Sequence, residues 1–211
     1  MKLVGMLDSP YVRRVAISLQ LLGLEFEHLS LSVFSTFAQF RQIDPLVKAP
    51  TLVCDDGVTL IDSTLILDYA QALAPLRRLM PEAIGARRDA LRLLGLALAA
   101  CEKSVQIIYE MRLRPPEKLH QPWLTRVTEQ LLAAYAVLEQ ELCRQELPVT
   151  SASISQAGVS IAVAWHFSQR LLPEIVAAHE FPSLVDFSAR AERLPEFVAA
   201  PHGESSYRGG R

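Results

Sequence analysis

The sequence predicts an α/β plus all-α protein, in which a small mixed sheet with helices precedes a C-terminal helical bundle. Two observations carry this prediction. Up to about residue 75, short β-type apolar runs alternate with helical ones, and from there to about residue 201 the pattern is helical. Prolines occur between residues 74 and 82, where the two patterns meet, as is common in a linker. We therefore expect domains at residues 1–75 and 83–201, followed by a disordered polar tail at 202–211.

The first domain is predicted to have the element order βαβαββα, which gives a small mixed sheet with helices packed on it. Its strands are expected at residues 3–7, 25–31, 51–54 and 58–61. Its helices are expected at residues 10–22, 34–43 and 63–73. In the last of these helices, the residues expected to face the core are Leu65, Ile66, Tyr69 and Leu73.

The second domain is expected to consist of helices alone. They are predicted at residues 87–111, 122–144, 155–171, 183–192 and 196–200. The first two are long and amphipathic, and Arg-Pro-Pro at 114–116 separates them. This pattern predicts a bundle built on one long helical pair.

Composition argues against several classes of function. A net charge of −2 without a cluster of Lys and Arg gives no reason to expect nucleic acid or an anionic membrane as partner. The three cysteines and five histidines are scattered without metal-ligand spacing, so no metal is expected, and an odd number of cysteines suits a reducing cytosol. The apolar run before Asp8 is too short for a signal peptide, and the longest one, at 93–101, is too short to span a membrane. We expect a cytoplasmic protein.

Ser9 stands immediately before Pro10 at the start of the first predicted helix, and two interpretations are open. Serine is a good N-cap and proline is tolerated at the first helical position, so a structural role is sufficient. A capping hydroxyl nevertheless keeps its own O–H to donate. A thiolate placed there would accept that hydrogen bond and would also be stabilised by the positive end of the helix dipole.

The stretch from Lys48 to Ser63 holds the other candidates. A proline at a strand entrance is ordinary on a sheet edge, but a cis Ala49–Pro50 bond would offer the Ala49 backbone to an extended peptide. Ser63 can simply be an N-cap beside Asp62. Alternatively, Ser63 and the helix amides bind a carboxylate and Asp62 binds an ammonium group, while Lys48 neutralises a second carboxylate.

Three motifs in this order resemble the glutathione-site motifs of the glutathione S-transferase superfamily, and more narrowly those of its bacterial serine-type members. They are Ser-Pro-Tyr-Val-Arg at residues 9–13, Lys-Ala-Pro-Thr-Leu at 48–52 and Asp-Ser at 62–63. The resemblance continues at residues 155–157, 181–184 and 194–197. It implies a thioredoxin-like N-terminal domain, glutathione as co-substrate without a metal, and a homodimer with an interface on the second domain's first two helices.

The same resemblance implies roles for individual residues. The Ser9 hydroxyl would hydrogen-bond the glutathione sulfur, and Ala49 before the cis Pro50 would pair with the cysteine backbone. The γ-glutamyl end would lie at Asp62 and Ser63, and the glycine end near Lys48. The second-substrate pocket is expected to involve Tyr11, Tyr109 and Arg112, although Tyr109 is equally compatible with a core or interface position.

Three departures from the family pattern accompany the motifs. Val47 replaces a glycine that is usual before the lysine, and Asp62 replaces the commoner Glu or Gln. Gly158 replaces an aspartate three residues after the N-cap Ser155, which removes one half of a capping box. Glycine in a helix also costs about 1 kcal/mol relative to alanine.

These motifs favour a glutathione transferase that conjugates the thiolate to a small electrophile. Two alternatives stay open. One is a non-catalytic protein-interaction module of the same fold, suggested by the departures at Val47 and Gly158. The other is a glutathione-dependent dehalogenase or reductase, although a disulfide reductase would need a redox cysteine in the position of Ser9.

Overall fold

The computed structural model describes residues 1–74, 76–207 and 209 of the chain. Its strands are β1 (Lys2–Val4), β2 (Glu27–Leu29), β3 (Thr51–Val53) and β4 (Thr59–Leu60). The helices among them are α1 (Pro10–Leu21), α2 (Phe37–Ile43) and α3 (Ser63–Leu73). The predicted order βαβαββα is therefore confirmed.

Helices alone follow α3 in the described part of the chain. They are α4 (Ile84–Leu113), α5 (Gln121–Arg144), α6 (Gln156–Leu171), α7 (Pro182–Ala191) and α8 (Pro195–Ala199). Single 3₁₀ turns occur at Pro116–Lys118 and Ala178–Glu180. All five predicted helices of this half are present, within a few residues of their expected bounds.

The four strands form one sheet in the order β2-β1-β3-β4. Strand β1 is parallel to β2 and antiparallel to β3, and β3 is antiparallel to β4. In this register Val4 pairs with Thr51, and Leu52 pairs with Leu60. The end of β1, the start of β3 and the end of β4 consequently lie at the same edge of the sheet.

Strand β1 is shorter than the predicted segment 3–7 because the backbone turns at Gly5. Gly5 has a φ of +133°, a conformation that side chains disfavour, and a Cβ there would lie 2.6 Å from Cγ2 of Val12. Its N–H donates to the Leu29 carbonyl (3.1 Å). Glycine thus ends the strand and lets α1 approach the sheet closely.

The buried face of α3 differs from the predicted one. Ile66 is fully buried, but Leu65, Tyr69 and Leu73 are 62%, 38% and 44% exposed. The buried residues are Ser63, Ile66, Leu67 and Ala70, which follow the i, i+3, i+4, i+7 spacing of one helix face. The expectation for Leu65, Tyr69 and Leu73 was wrong because the helix face that packs inward combines Ile66 and Leu67 with the smaller Ser63 and Ala70.

Contacts divide the chain into two compact units. The first contains the described residues of Met1–Leu79, Thr150–Ala152 and Glu192–Arg211, and the second contains Met80–Val149 and Ser153–Ala191. Helix α8 thus belongs to the unit that holds the sheet. The boundaries 1–75 and 83–201 drawn from the sequence stay predictions.

The last described residues lie against strand β2 in the first unit. The Tyr207 ring stacks on Phe26 with 4.6 Å between centroids. The backbone N–H of Tyr207 donates to Nδ1 of His28 (2.9 Å). Nε2 of the His28 ring donates to the Gly5 carbonyl (2.7 Å). Of the tail expected at 202–211, residues 208, 210 and 211 lie outside the described residues.

The second unit is a helical bundle whose core contains a hydroxyl network. The buried Tyr135 hydroxyl lies 2.8 Å from the Ala164 carbonyl, to which it donates, and 2.6 Å from Oγ of Ser168. Oγ of Ser104 lies 2.8 Å from the same Ser168 oxygen. Burial raises the pKa of Tyr135, so this hydroxyl stays neutral. The network therefore buries polar groups without leaving these hydroxyls unsatisfied.

Helix α6 keeps half of the capping box despite the missing aspartate. Oγ of Ser155 accepts a hydrogen bond from the Gly158 N–H (3.2 Å). A Cβ at Gly158 would lie 3.0 Å from Cγ1 of Ile154 and 3.4 Å from Cζ of Phe187. The space that an aspartate side chain would need is thus occupied by apolar groups.

No helix among the described residues is long and apolar enough to cross a membrane.

Candidate functional site

The candidate residues of the first unit come together at one edge of the sheet. Ser9 follows β1, the Ala49–Pro50 pair precedes β3, and Asp62-Ser63 follows β4. The sheet register brings these three strand ends to the same edge. Residues up to 54 positions apart in the chain therefore surround one small region.

Ser9 is the N-cap residue of α1 by its backbone alone. Its carbonyl accepts from the Arg13 N–H (2.9 Å), with an extended φ of −71° and ψ of 124°. The side chain makes no capping hydrogen bond, which corrects the expectation that the hydroxyl accepts from a helix amide. The half-buried hydroxyl is thereby not committed to the helix, and it stands at the positive end of the α1 dipole.

The Ala49–Pro50 peptide bond is cis. Pro50 is buried and Ala49 is half-buried, close to the turn at Gly5. This is the bond geometry on which the interpretation of Ala49 as a backbone partner for a peptide depended. Ala49 pairs with no strand of the described sheet, because β3 begins at Thr51.

A buried carboxylate, which the sequence interpretation missed, holds the loop before Pro50. Asp44 accepts from the N–H groups of Leu46 (3.2 Å) and Lys48 (3.1 Å) and from the Thr51 hydroxyl (3.2 Å). It is 5% exposed. The Asp-Pro pair at 44–45 signals a turn, but the sequence does not show that its carboxylate spans the whole loop.

The same loop contains a residue in an unfavourable backbone conformation. Val47 has a φ of +51°, in the left-handed region that β-branched residues rarely adopt. This is the position where a glycine is usual in the family pattern. Its neighbour Lys48 is exposed, and its side chain is available to a ligand carboxylate.

Asp62, rather than Ser63, is the N-cap of α3. One carboxylate oxygen of Asp62 accepts from the N–H groups of Thr64 (2.9 Å) and Leu65 (3.4 Å). Ser63 is the first helical residue and is 2% exposed. The expectation that Ser63 caps this helix was therefore wrong, and the helix amides of Thr64 and Leu65 are already engaged.

A buried arginine that the sequence interpretation also missed reaches the start of α3. Nη1 of Arg14 donates to Oγ of Ser63 (2.9 Å) and lies 3.4 Å from Oγ1 of Thr64. Arg14 is 1% exposed. The sequence shows only that an arginine lies beside apolar residues on a predicted helix, and this does not reveal the contact.

The three residues expected to line a second-substrate pocket lie in different units. Tyr11 is half-buried on the first turn of α1. Tyr109, which is 44% exposed, and Arg112, which is also exposed, lie near the end of α4. Their assignment to one pocket stays a prediction.

Within the described residues, no group of three or more His, Cys, Asp and Glu side chains is placed to hold a metal ion.

Comparison with known proteins identifies the family. A model of the glutathione S-transferase N-terminal domain matches residues 3–78. The chain is 30% identical to a glutathione transferase family member from Pseudomonas fluorescens Pf-5, which was solved with bound S-(propanoic acid)-glutathione. The alignment covers 95% of this chain and 98% of that protein, with a TM-score of 0.79. The chain belongs to the glutathione S-transferase superfamily, and its first domain has the thioredoxin-like fold of that family.

Two further relatives also match most of the chain. The uncharacterized GST-like protein YibF of Escherichia coli (strain K12) is 27% identical over 179 residues, which are 82% of this chain and 85% of that protein. A glutathione S-transferase from Methylobacterium radiotolerans, in complex with glutathione sulfonate, is 23% identical, with a TM-score of 0.85 over 94% of this chain and 93% of that one. At that identity, the second likeness supports the fold alone.

Proposed function

We propose that this protein is a serine-type glutathione transferase, which conjugates the glutathione thiolate to a small electrophile. The observation that carries the proposal is the uncommitted hydroxyl of Ser9, which lies at the N-terminus of α1 on the same sheet edge as the cis Ala49–Pro50 bond. A donor and a helix dipole at one point favour an anion there.

In the proposed reaction, the residues bind and ionise glutathione, and the thiolate attacks. The Ser9 O–H donates a hydrogen bond to the sulfur, which lowers the thiol pKa because the anion is stabilised more than the neutral thiol. The sulfur forms a bond to the electrophilic carbon, and the leaving group departs with the bonding electrons. The proton of the thiol is released to water.

The peptide part of glutathione has a proposed partner at each end. The N–H and C=O of Ala49 pair with the cysteine residue, as in strand addition. The Ser63 hydroxyl donates to the γ-glutamyl carboxylate and Asp62 accepts from its ammonium group. Lys48 neutralises the glycine carboxylate. Tyr11, Tyr109 and Arg112 are proposed to line the electrophile pocket.

We further propose a homodimer. The stripe formed by Leu65, Tyr69 and Leu73 on α3 supports it, since these apolar side chains are 62%, 38% and 44% exposed. Sedimentation at micromolar concentration would give twice the monomer mass of 23.4 kDa.

The decisive test compares Ser9→Ala with Ser9→Thr, because threonine keeps the hydroxyl and is accepted at an N-cap. Glutathione conjugation to an aryl halide is followed together with the pKa of the bound thiol, read from the ultraviolet absorbance of the thiolate. Ser9→Ala is expected to reduce kcat about 100-fold, the effect of losing one donor to a developing anion. It should also raise the thiol pKa, while Ser9→Thr retains most activity.

Two results would count against this function. Wild-type protein that binds no millimolar glutathione would overturn it. Binding without turnover of any electrophile, combined with retention by a protein partner, would favour the non-catalytic interaction module instead.

A further inference from the structure

The start of α3 contains a buried hydroxyl whose proton has no acceptor among the described residues. Ser63 is 2% exposed, and its oxygen accepts from Nη1 of Arg14 at 2.9 Å. A serine hydroxyl has two lone pairs and one proton, whereas a guanidinium has donors only. Because Arg14 supplies a proton to the oxygen, the serine proton is directed away from Arg14.

The cation that holds this hydroxyl is permanent and fixed in place. An arginine keeps its charge at every pH at which the protein is folded. Arg14 is 1% exposed, and its second contact from Nη1 is Oγ1 of Thr64 at 3.4 Å. These two acceptors of Nη1 are neutral hydroxyls on the first turn of α3, so Nη1 lies beside the positive end of that helix.

We propose that Arg14 is a positioning residue for an α-carboxylate ligand of Ser63. It orients the Ser63 O–H toward the ligand and polarises it, because a hydroxyl that accepts a charged hydrogen bond becomes a stronger donor. The proposal rests on the proposed function, in which this carboxylate belongs to the γ-glutamyl end of glutathione.

This assignment connects the thiol and the γ-glutamyl α-carboxylate of the ligand through one helix. Ser9 precedes the first turn of α1, and Arg14 follows five residues later, which is about 7.5 Å along a helix axis. The first residue faces the thiol and the second acts through Ser63 on the carboxylate. Helix α1 would thus set the spacing between the two chemical groups of the tripeptide.

The test uses two ligands that differ in one group. They are glutathione and γ-aminobutyryl-cysteinylglycine, which lacks only the α-carboxylate of the γ-glutamyl residue. In the full-length protein, Arg14→Met is expected to weaken glutathione binding about 10-fold, the loss of one charge-assisted hydrogen bond. Its affinity for the analogue should be unchanged. The KM for glutathione should rise while kcat at saturation stays near the wild-type value.

Three further variants separate positioning from a structural role. Arg14→Lys keeps a cation with donors and should retain an intermediate affinity for glutathione, which also keeps the test valid if Arg14→Met does not fold. In a Ser63→Ala background, Arg14→Met should weaken glutathione binding little further, because the two residues act as a unit. Thr64→Val removes only the longer contact and should bind both ligands as the wild type does.

The outcomes distinguish this proposal from the function on which it rests. If wild-type protein binds neither ligand, the proposed function fails. If it binds glutathione, but Arg14→Met weakens both ligands equally, the positioning role is overturned and the transferase function stands. Equal losses from Arg14→Met in the wild-type and Ser63→Ala backgrounds would likewise contradict it.

Discussion

At the scale of single residues, Val47 is the clearest conflict between side chain and backbone. Its φ of +51° costs an L-residue about 1–2 kcal/mol, while glycine adopts it freely. We expect Val47→Gly to stabilise the protein by about 1 kcal/mol, after the greater chain entropy of unfolded glycine is subtracted. Chemical denaturation measures the free energy of unfolding.

Val47→Ala is the matched control for this prediction. Alanine removes the branched side chain but keeps the Cβ that disfavours a positive φ. It should therefore recover little of the gain. Equal stabilisation by alanine and glycine would attribute the cost to the valine side chain instead of the backbone.

His28 should make stability depend on pH. The Tyr207 N–H donates to Nδ1, so the ring proton is on Nε2, which donates to Gly5, and the ring must be neutral. Burial lowers the pKa of His28, and the hydrogen bond to Gly5 partly opposes this. Below the unfolded pKa of about 6.5, the unfolded chain then binds more protons than the folded one. The contribution of His28 to the free energy of unfolding is therefore complete above the unfolded pKa. It is lost as the pH falls through the lowered pKa of His28 in the folded protein.

We expect the Tm of wild-type protein to fall more steeply between pH 7 and about pH 5 than that of His28→Gln, which cannot titrate. The Tyr207 amide should also exchange faster with solvent on acidification, relative to amides of β1. Parallel pH dependences of the wild type and His28→Gln would contradict this role for the ring.

The candidate residues were recognisable from the sequence because each is a polar or special residue at a strand or helix boundary. Ser9, Pro50 and Asp62 all have that signature. Arg14 lies inside α1 and lacks that signature, and its importance comes from a contact 49 positions away, at Ser63. Asp44 does follow a helix, but its position does not show that its carboxylate reaches Thr51. Side-chain contacts of this kind have no local pattern in one sequence.

At the scale of elements, α3 shows what periodicity can and cannot reveal. Its bounds matched the prediction, Ser63–Leu73, because a capping residue, Asp62, precedes it and helix formers fill it. Its buried face did not, since Ser63 and Ala70 pack inward while Leu65 and Tyr69 are exposed. Because two faces of α3 carry similar numbers of apolar residues, tertiary packing decides which face is buried.

Asp62 combines two roles that substitutions can separate. Its carboxylate caps α3 through Thr64 and Leu65, and we propose that it also binds the ligand ammonium group. Asp62→Asn should unfold within about 0.5 kcal/mol of the wild type, because asparagine caps as well as aspartate does. It should nevertheless bind glutathione about 10-fold more weakly, since the charge is lost.

Asp62→Ala should lose both the cap, worth about 1 kcal/mol, and the ligand contact. Thermal unfolding and glutathione titration of the two variants measure these effects side by side. Unchanged glutathione affinity in Asp62→Asn would show that the cap is the only role of this carboxylate.

At the scale of the whole molecule, the C-terminal segment of the chain packs within the unit that holds the sheet. Arg13 is 2% exposed and forms a two-pronged ion pair with Glu192, with both N–O distances at 2.6 Å. Its Nε donates to the Ala200 carbonyl (2.8 Å), and its guanidinium lies 5.7 Å from the centre of the Phe197 ring. The sequence suggested a division near residue 75 because local patterning cannot show a contact across 179 residues.

A fragment of residues 1–79 is therefore expected not to fold cooperatively. It would lose the ion pair of Arg13 with Glu192 and the contacts of Arg13 with Phe197 and Ala200. A domain of this size has little stability to lose.

In the full-length chain, where Arg13 is buried, Glu192→Gln should lower the free energy of unfolding by about 3–5 kcal/mol, the cost of removing one partner of a buried ion pair. If residues 192–211 are joined to the fragment by a flexible Gly/Ser linker, a cooperative transition should return, and Glu192→Gln in that fusion should abolish it. Far-UV circular dichroism during thermal unfolding reports each case, and a cooperative transition of the fragment alone would contradict the dependence on the C-terminal segment.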